Sequence, residues 1–292
     1  MPKTGVAIVA DSSISLPPTL LKDLPVYTVP FEIHHQGRVY HDGVDITAAD
    51  FYQMQRDGQS LPTTSAPTPG AFLDAYTSAA EHASSVLCVT LADKLSATYE
   101  SAMVAKAQAV ESLPEVDIRV LDSQTAGTAE GLLVLEAARL AHSGASIEQV
   151  QTAAEQRVHS VYLMAYLETL YYVWRGGRVP RVAMWMGRLL KIRPVLELSE
   201  GHIGLVERPR TTRLATDRLI SRAREHIGSS PARIAVIHAG APEPAAALEE
   251  RIRQELAPVE LFISELTPVI GAHTGPGLVG CAFHPVAVGE GP

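Results

Sequence analysis

GVAIVADSSISLPPTLLKDL, Gly5–Leu24, decides the fold class. Gly5–Ala10 is uniformly apolar and short, which reads as a buried strand. The chain turns polar at Asp11, Ser12 and Ser13, and Pro17-Pro18 suit the first turn of a helix running to Leu24. Buried strand, polar loop and helix are the opening of a parallel βα unit.

The same alternation continues outward. VYTVPF (Val26–Phe31), SVLCVTL (Ser85–Leu91) and IRVLDS (Ile118–Ser123) read as strands. Helical spacing covers Ala48–Arg56, Gly70–Ala83, Ser96–Ser112, Thr128–Ser143 and Ile147–His159. SLPTTSAPTPG (Ser60–Gly70) has three prolines and five hydroxyls and is expected as a loop without a regular hydrogen-bond ladder. The first half is therefore predicted as α/β with a largely parallel sheet. Such sheets take ligands in loops beyond the strand carboxyl ends, where Asp11-Ser12-Ser13, Ala92-Asp93 and Asp122-Ser123 fall.

The second half has a different order. Val161–Glu168 reads as a strand and Thr169–Trp174 as a short helix, before the glycine-rich turn RGGRVPR (Arg175–Arg181). Arg193–Leu198 and His202–Arg208 flank Glu200-Gly201 as a hairpin. Thr211–His226 and Pro242–Leu256 read as helices; Ala232–Ala239, Val259–Ser264 and Leu278–Phe283 read as strands. Two α/β domains are expected, spanning 1–158 and 159–285, with a tail at 286–292.

Composition narrows the function. The chain has 292 residues, 46% of them hydrophobic but only 5% aromatic, so its core is aliphatic. A net charge of −8 disfavours nucleic acid and a polybasic membrane anchor. The apolar run near the N-terminus is too short for a signal peptide. The most apolar window, Val161–Trp174, is interrupted by Glu168 and shorter than the roughly 18–20 residues of a membrane span. A cytoplasmic protein with at most transient membrane contact is expected. Cys88 and Cys281 stand far apart in apolar runs and read as buried thiols.

Chemical motifs are weak. GPGLVG (Gly275–Gly280) matches the dinucleotide pattern, but it leads into an apolar strand instead of opening a helix. No phosphate-cradling loop, zinc-protease helix or calcium loop occurs, and His34-His35 reads as a solvated hairpin. A hydrolase or acyl transferase would need Ser96 or Ser65 with His273, oriented by Asp11 or Asp122; the GxSxG elbow is missing. No catalytic, metal or cofactor site is assigned on these grounds. The hydroxyls Thr63, Thr64 and Ser65, and likewise Ser96, Thr98 and Tyr99, could equally be helix caps.

Eight blocks in order carry a resemblance: VADSS (Val9–Ser13), YHDGVDI (Tyr40–Ile46) with Phe51-Tyr52, PTTSAPTP (Pro62–Pro69), LSATYESA (Leu95–Ala102), LDSQTAG (Leu121–Gly127), LETLYYVWRGGRV (Leu167–Val179), LLKIRPVLEL (Leu189–Leu198) and AHTGPGLVG (Ala272–Gly280). Together the chain resembles the DegV family of bacterial fatty-acid-binding proteins. The resemblance implies a long-chain fatty acid enclosed between two α/β domains and no chemistry by the protein itself. It implies a carboxylate held by Thr63, with Thr64 and Ser65 close by, and by His273, with Thr274 and Gly275 in the same block. Arg178 is implied at the partner surface or the pocket mouth, the partner being a separate fatty acid kinase that makes acyl phosphate. No cofactor is implied, and a monomer is the default. One departure stands out: where the family often reads L-S-S before x-L-S-G-T-Y, this chain has Leu91-Ala92-Asp93 ahead of Lys94, Leu95 and Ser96, with Ala97 for the glycine. An inward Asp93 would require a shared proton with the ligand; otherwise it turns toward Lys94 or the Ser96 helix start.

Overall fold

A computed structural model describes residues 4–58, 60–179 and 192–286. Met1–Lys3, the Pro180-Arg181 end of the arginine-rich turn, Leu189–Lys191 of the LLKIRPVLEL block and 287–292 of the expected tail lie outside the described residues. Val286, expected in the tail, is buried and donates its N–H to Pro231 O.

Among the described residues the strands form three sheets. The first has the order β2 (Val26–Val29), β1 (Val6–Asp11), β6 (Ser85–Thr90), β7 (Asp117–Asp122), all parallel. Both of its faces are covered, which is why β1 is apolar throughout. Val6, Ile8 and Ala10 join one core with α5 (Thr128–His142) and α6 (Ile147–Val158). Ala7 and Val9 join the opposite core with α3 (Pro69–Ala80) and α4 (Thr98–Ser112).

The second sheet has the order β10 (His202–Glu207), β9 (Val195–Ser199), β8 (Tyr162–Tyr166), β13 (Val279–Pro285), β11 (Ala232–His238), β12 (Glu260–Glu265). It is antiparallel except for β11 and β12. One face packs under α8 (Thr212–Ile227) and α9 (Pro242–Leu256) through Met164, Val195, Val236 and Cys281. The alternate residues, among them Ala165, Leu196 and Ala235, face the first half of the chain. Between the two sheets lies α5, hydrophobic on nearly all sides: Leu132 and Leu133 pack toward the second sheet, Val134 and Ala138 toward the first.

A small antiparallel sheet, β4 (Arg38–His41), β3 (Glu32–His35), β5 (Thr63–Ser65), corrects two expectations. VYTVPF is not one strand: β2 ends at Val29, and after Pro30 the chain enters β3 in a different sheet. The PTTS segment does form a ladder, pairing Ile33 with Thr64 and His34 with Thr63. The His34-His35 hairpin exists, closed at Gln36-Gly37 with both residues at positive φ; its tip is exposed and His34 half-exposed, but His35 is buried, at 8% exposure. The short helices α1 (Pro18–Leu21), α2 (Ala48–Arg56), α7 (Tyr171–Gly176) and α10 (Pro268–Thr274) complete the description. No described helix is long and apolar enough to cross a membrane.

Candidate functional site

A cavity of about 150 Å³ lies between the inner face of the second sheet and the loops of the first half; one water needs about 10–15 Å³ in the same measure. Its walls are aliphatic. Leu163 and Ala165 from β8, Leu196 and Leu198 from β9 and Ile203 from β10 form one side, since each is the alternate residue of its strand. Phe31, Leu91, Ala126, Val269 and Ile270 close the other. Polar groups enter at Thr64, Ser96, Arg178, His273 and Thr274.

Thr64 and His273 form the polar focus, with Thr64 Oγ1 2.8 Å from His273 Nε2. They are 209 residues apart in sequence and meet because β5 and α10 converge on the cavity. Burial, with the nearby charge of Arg178, pushes the His273 imidazole down to about 4, so the ring is neutral near pH 7. Nδ1 is buried without a hydrogen-bond partner among the described residues. Arg178 donates to Gly176 O at 2.7 Å and stands at the cavity wall, where an outer groove with Lys94 and His202 begins.

The expected neighbours of this pair separate by strand alternation. Thr63 is exposed and does not line the cavity; Ser65 lies 2.9 Å from His34 Nε2. The middle residue of β5, Thr64, is therefore the hydroxyl presented to the cavity. Ser96 lines it, its hydroxyl 2.7 Å from that of Thr98. Thr274 lines it too and donates back to Ile270 O within α10. Gly275 ends α10 at φ +75, where a Cβ would lie 2.1 Å from the Tyr172 ring; it packs against a side chain and is not part of the cavity wall. Asp93 is exposed, its N–H 3.3 Å from Asp122 Oδ1, and does not line the cavity. Lys94 reaches past it to Glu200 O, at 3.0 Å.

The serine–histidine pairs considered from sequence are not hydrogen-bonded: His273 bonds to a threonine, and Ser65 and Ser96 bond elsewhere. Asp11, the candidate orienting acid, is fully buried and accepts from the N–H groups of Ser13 and Leu91. Its neighbour Ser13 donates to Glu130 at 2.6 Å, and Ser12 donates to Asp42 at 2.6 Å. The Asp11-Ser12-Ser13 loop thus ties β1 to α5 and to the segment after β4. Burial and the Asp11 charge hold the Glu130 carboxyl well above its ordinary range. Among the described residues, no group of three or more His, Cys, Asp and Glu is arranged to hold a metal.

His273 and Thr274 are legible in the sequence as site residues, but the short helix α10 that carries them and the sheet wall are not. The wall was visible in principle as alternation through YLMAYL and PVLEL; α10, with Gly271 inside it and Gly275-Pro276 after it, carries too short a pattern to stand out.

Comparison with known proteins identifies the family. A family model described as an uncharacterised protein of the DegV family matches residues 5–286. A DegV domain-containing protein of Streptomyces coelicolor is 35% identical over 277 residues, covering 94% of this chain and 96% of the relative. The structure of a DegV family protein from Thermus thermophilus, described for its fatty acid binding, aligns with a TM-score of 0.90 at 32% identity, over 97% of this chain and 100% of that one. A stearic-acid-binding protein from Eubacterium ventriosum aligns with a TM-score of 0.88 at 27% identity, over 96% and 98% of the two chains. DegV of Bacillus subtilis, a fatty acid binding protein, gives 0.87 at 26%, over 97% and 100%. This chain belongs to the DegV family.

Proposed function

We propose that this protein binds one long-chain fatty acid with its tail in the aliphatic cavity and its carboxylate at Thr64 and His273, and that it presents the acid to a separate fatty acid kinase. The observation that carries the reading is one cavity walled by leucine, isoleucine, valine and alanine whose polar atoms gather around a hydroxyl–imidazole pair. A tail of about fifteen methylenes gains roughly 12 kcal/mol gross on leaving water, of which ordering takes back several. The tail then sets affinity, and the head group sets orientation. A buried carboxylate needs donors; the Thr64 hydroxyl, held by the His273 imidazole, and the positive charge of Arg178 supply them.

The protein itself needs no cofactor or metal in this scheme and performs no reaction. The Thr64–His273 pair has the spacing of a nucleophile and base, but no carboxylate orients the imidazole, whose Nδ1 has no partner. We place the domain boundary near Val158, the protein in the cytoplasm, as a monomer that meets membranes only transiently and does not bind nucleic acid. Arg178, shared by the cavity wall and the outer groove, is the residue proposed to meet the kinase.

The test compares oleate with oleyl alcohol on delipidated protein. Thr64→Val should lower oleate affinity about tenfold while leaving the alcohol nearly unchanged. Thr63→Val should leave both within about twofold. An equal loss for acid and alcohol in Thr64→Val would remove the head group from this pair.

A further inference from the structure

The contact between α7 and α10 is reciprocal. The imidazole of His273 lies over Gly176, where an added Cβ would sit 2.6 Å from Nδ1 and 3.4 Å from Cγ. The ring of Tyr172 lies over Gly275 in return. Gly275 needs glycine twice over, for its positive φ and for the ring. Gly176 is helical with an ordinary φ, so its neighbour alone forbids a side chain there.

This contact settles where the ring proton sits. Nδ1 faces Gly176, buried and without a partner, whereas Nε2 lies 2.8 Å from Thr64 Oγ1. A buried N–H left without an acceptor is rarer and costlier than a buried lone pair left without a donor. The proton therefore belongs on Nε2, where it donates to Thr64 Oγ1. The threonine's own proton is left to point into the cavity.

We infer that Gly176 is a positioning residue for the ligand head group: lacking a side chain, it lets His273 seal Nδ1 against α7, which fixes the Nε2–H tautomer and makes the Thr64 hydroxyl a donor to a carboxylate. The inference rests on the fatty-acid reading above and adds a specificity device to it. A neutral alcohol gains less than a carboxylate from such a donor, so the device selects acids.

Gly176→Ala in the full chain tests it. Alanine is the better helix former, so the substitution harms only through the contact; Gly70→Ala, whose Cβ would meet nothing nearer than 3.7 Å, is the control. The preference for oleate over oleyl alcohol should fall about tenfold in Gly176→Ala and stay unchanged in Gly70→Ala. Nitrogen NMR of the wild-type ring should report the neutral Nε2–H tautomer at pH 7, and in Gly176→Ala the titration midpoint should move up toward the ordinary histidine value. A wild-type ring that is charged or protonated on Nδ1 at pH 7 overturns the inference even if Gly176→Ala fails to fold. So does a Gly176→Ala protein that keeps its preference for the acid. If the wild-type protein shows no preference for acid over alcohol, the fatty-acid reading itself fails. If His273→Ala abolishes a preference that Gly176→Ala leaves intact, only the role of Gly176 is lost.

Discussion

At the scale of the residue, one strand position separates a cavity-lining hydroxyl from a surface one. Thr63, Thr64 and Ser65 are chemically alike, and their sequence does not choose among them. Pairing of β5 with β3 does, because adjacent residues of a strand face opposite sides. Asp93, in the loop after β6, is exposed and outside the cavity wall. Asp93→Ser should therefore leave oleate affinity within about twofold of wild type, measured by titration of delipidated protein; a large gain would place Asp93 inward. Gly275 offers the opposite case. Gly275→Ala adds strain at a positive φ to a clash with Tyr172, and should cost about 2–4 kcal/mol in chemical denaturation.

At the scale of the element, α10 brings the histidine to the cavity, and the sequence concealed it. The long parallel strands and their helices were legible because each carries an unbroken apolar period. Short elements such as β5 and α10 are held by tertiary partners and have too few residues for a period of their own. The N-terminal end of α10 faces Asp42, which is 2% exposed and accepts from Ser12; Val269 N–H and the Thr267 hydroxyl face the same carboxyl. Burial raises Asp42 to about 7, with the charge of Asp11 adding to it. A carboxyl raised in the folded state binds its proton more tightly there than in the unfolded chain. Its stabilisation is complete below about pH 4 and is lost as pH rises through about 7. Asn mimics the protonated form. Asp42→Asn should therefore be more stable than wild type at pH 8, by on the order of a few kcal/mol, with the gap closing below about pH 5. Urea denaturation at both pH values checks this; a gap that does not change with pH would show Asp42 ionised throughout.

At the scale of the whole molecule, the cavity exists because two sheets share a core without filling it. The halves are tied at several points. Arg139 grips Glu260 through two bonds of 2.8 and 2.6 Å, linking α5 to β12. Tyr52 and Gln55 on α2 donate to Leu266 O, just before α10, and to Gly271 O within it. Sequence patterns could identify the two folding units, since each is built of local βα or hairpin steps. The space between them could not be read in the same way, since it depends on how faces from distant strands meet; only the ordered family blocks pointed to it. A ligand seated there binds the folded state alone and stabilises it by mass action. Delipidated protein should thus melt at lower temperature than protein with oleate at a hundredfold excess over its dissociation constant, a difference worth about 2.7 kcal/mol.

The most direct measurement is the mass spectrum of an organic extract from the denatured protein after purification from bacteria. The account predicts about one long-chain fatty acid per chain by mass action on a folded cavity, with the acid largely lost from a Thr64→Val, His273→Ala double variant that still folds. An extract without fatty acid, from folded wild-type protein that also fails to take up added oleate, would contradict it.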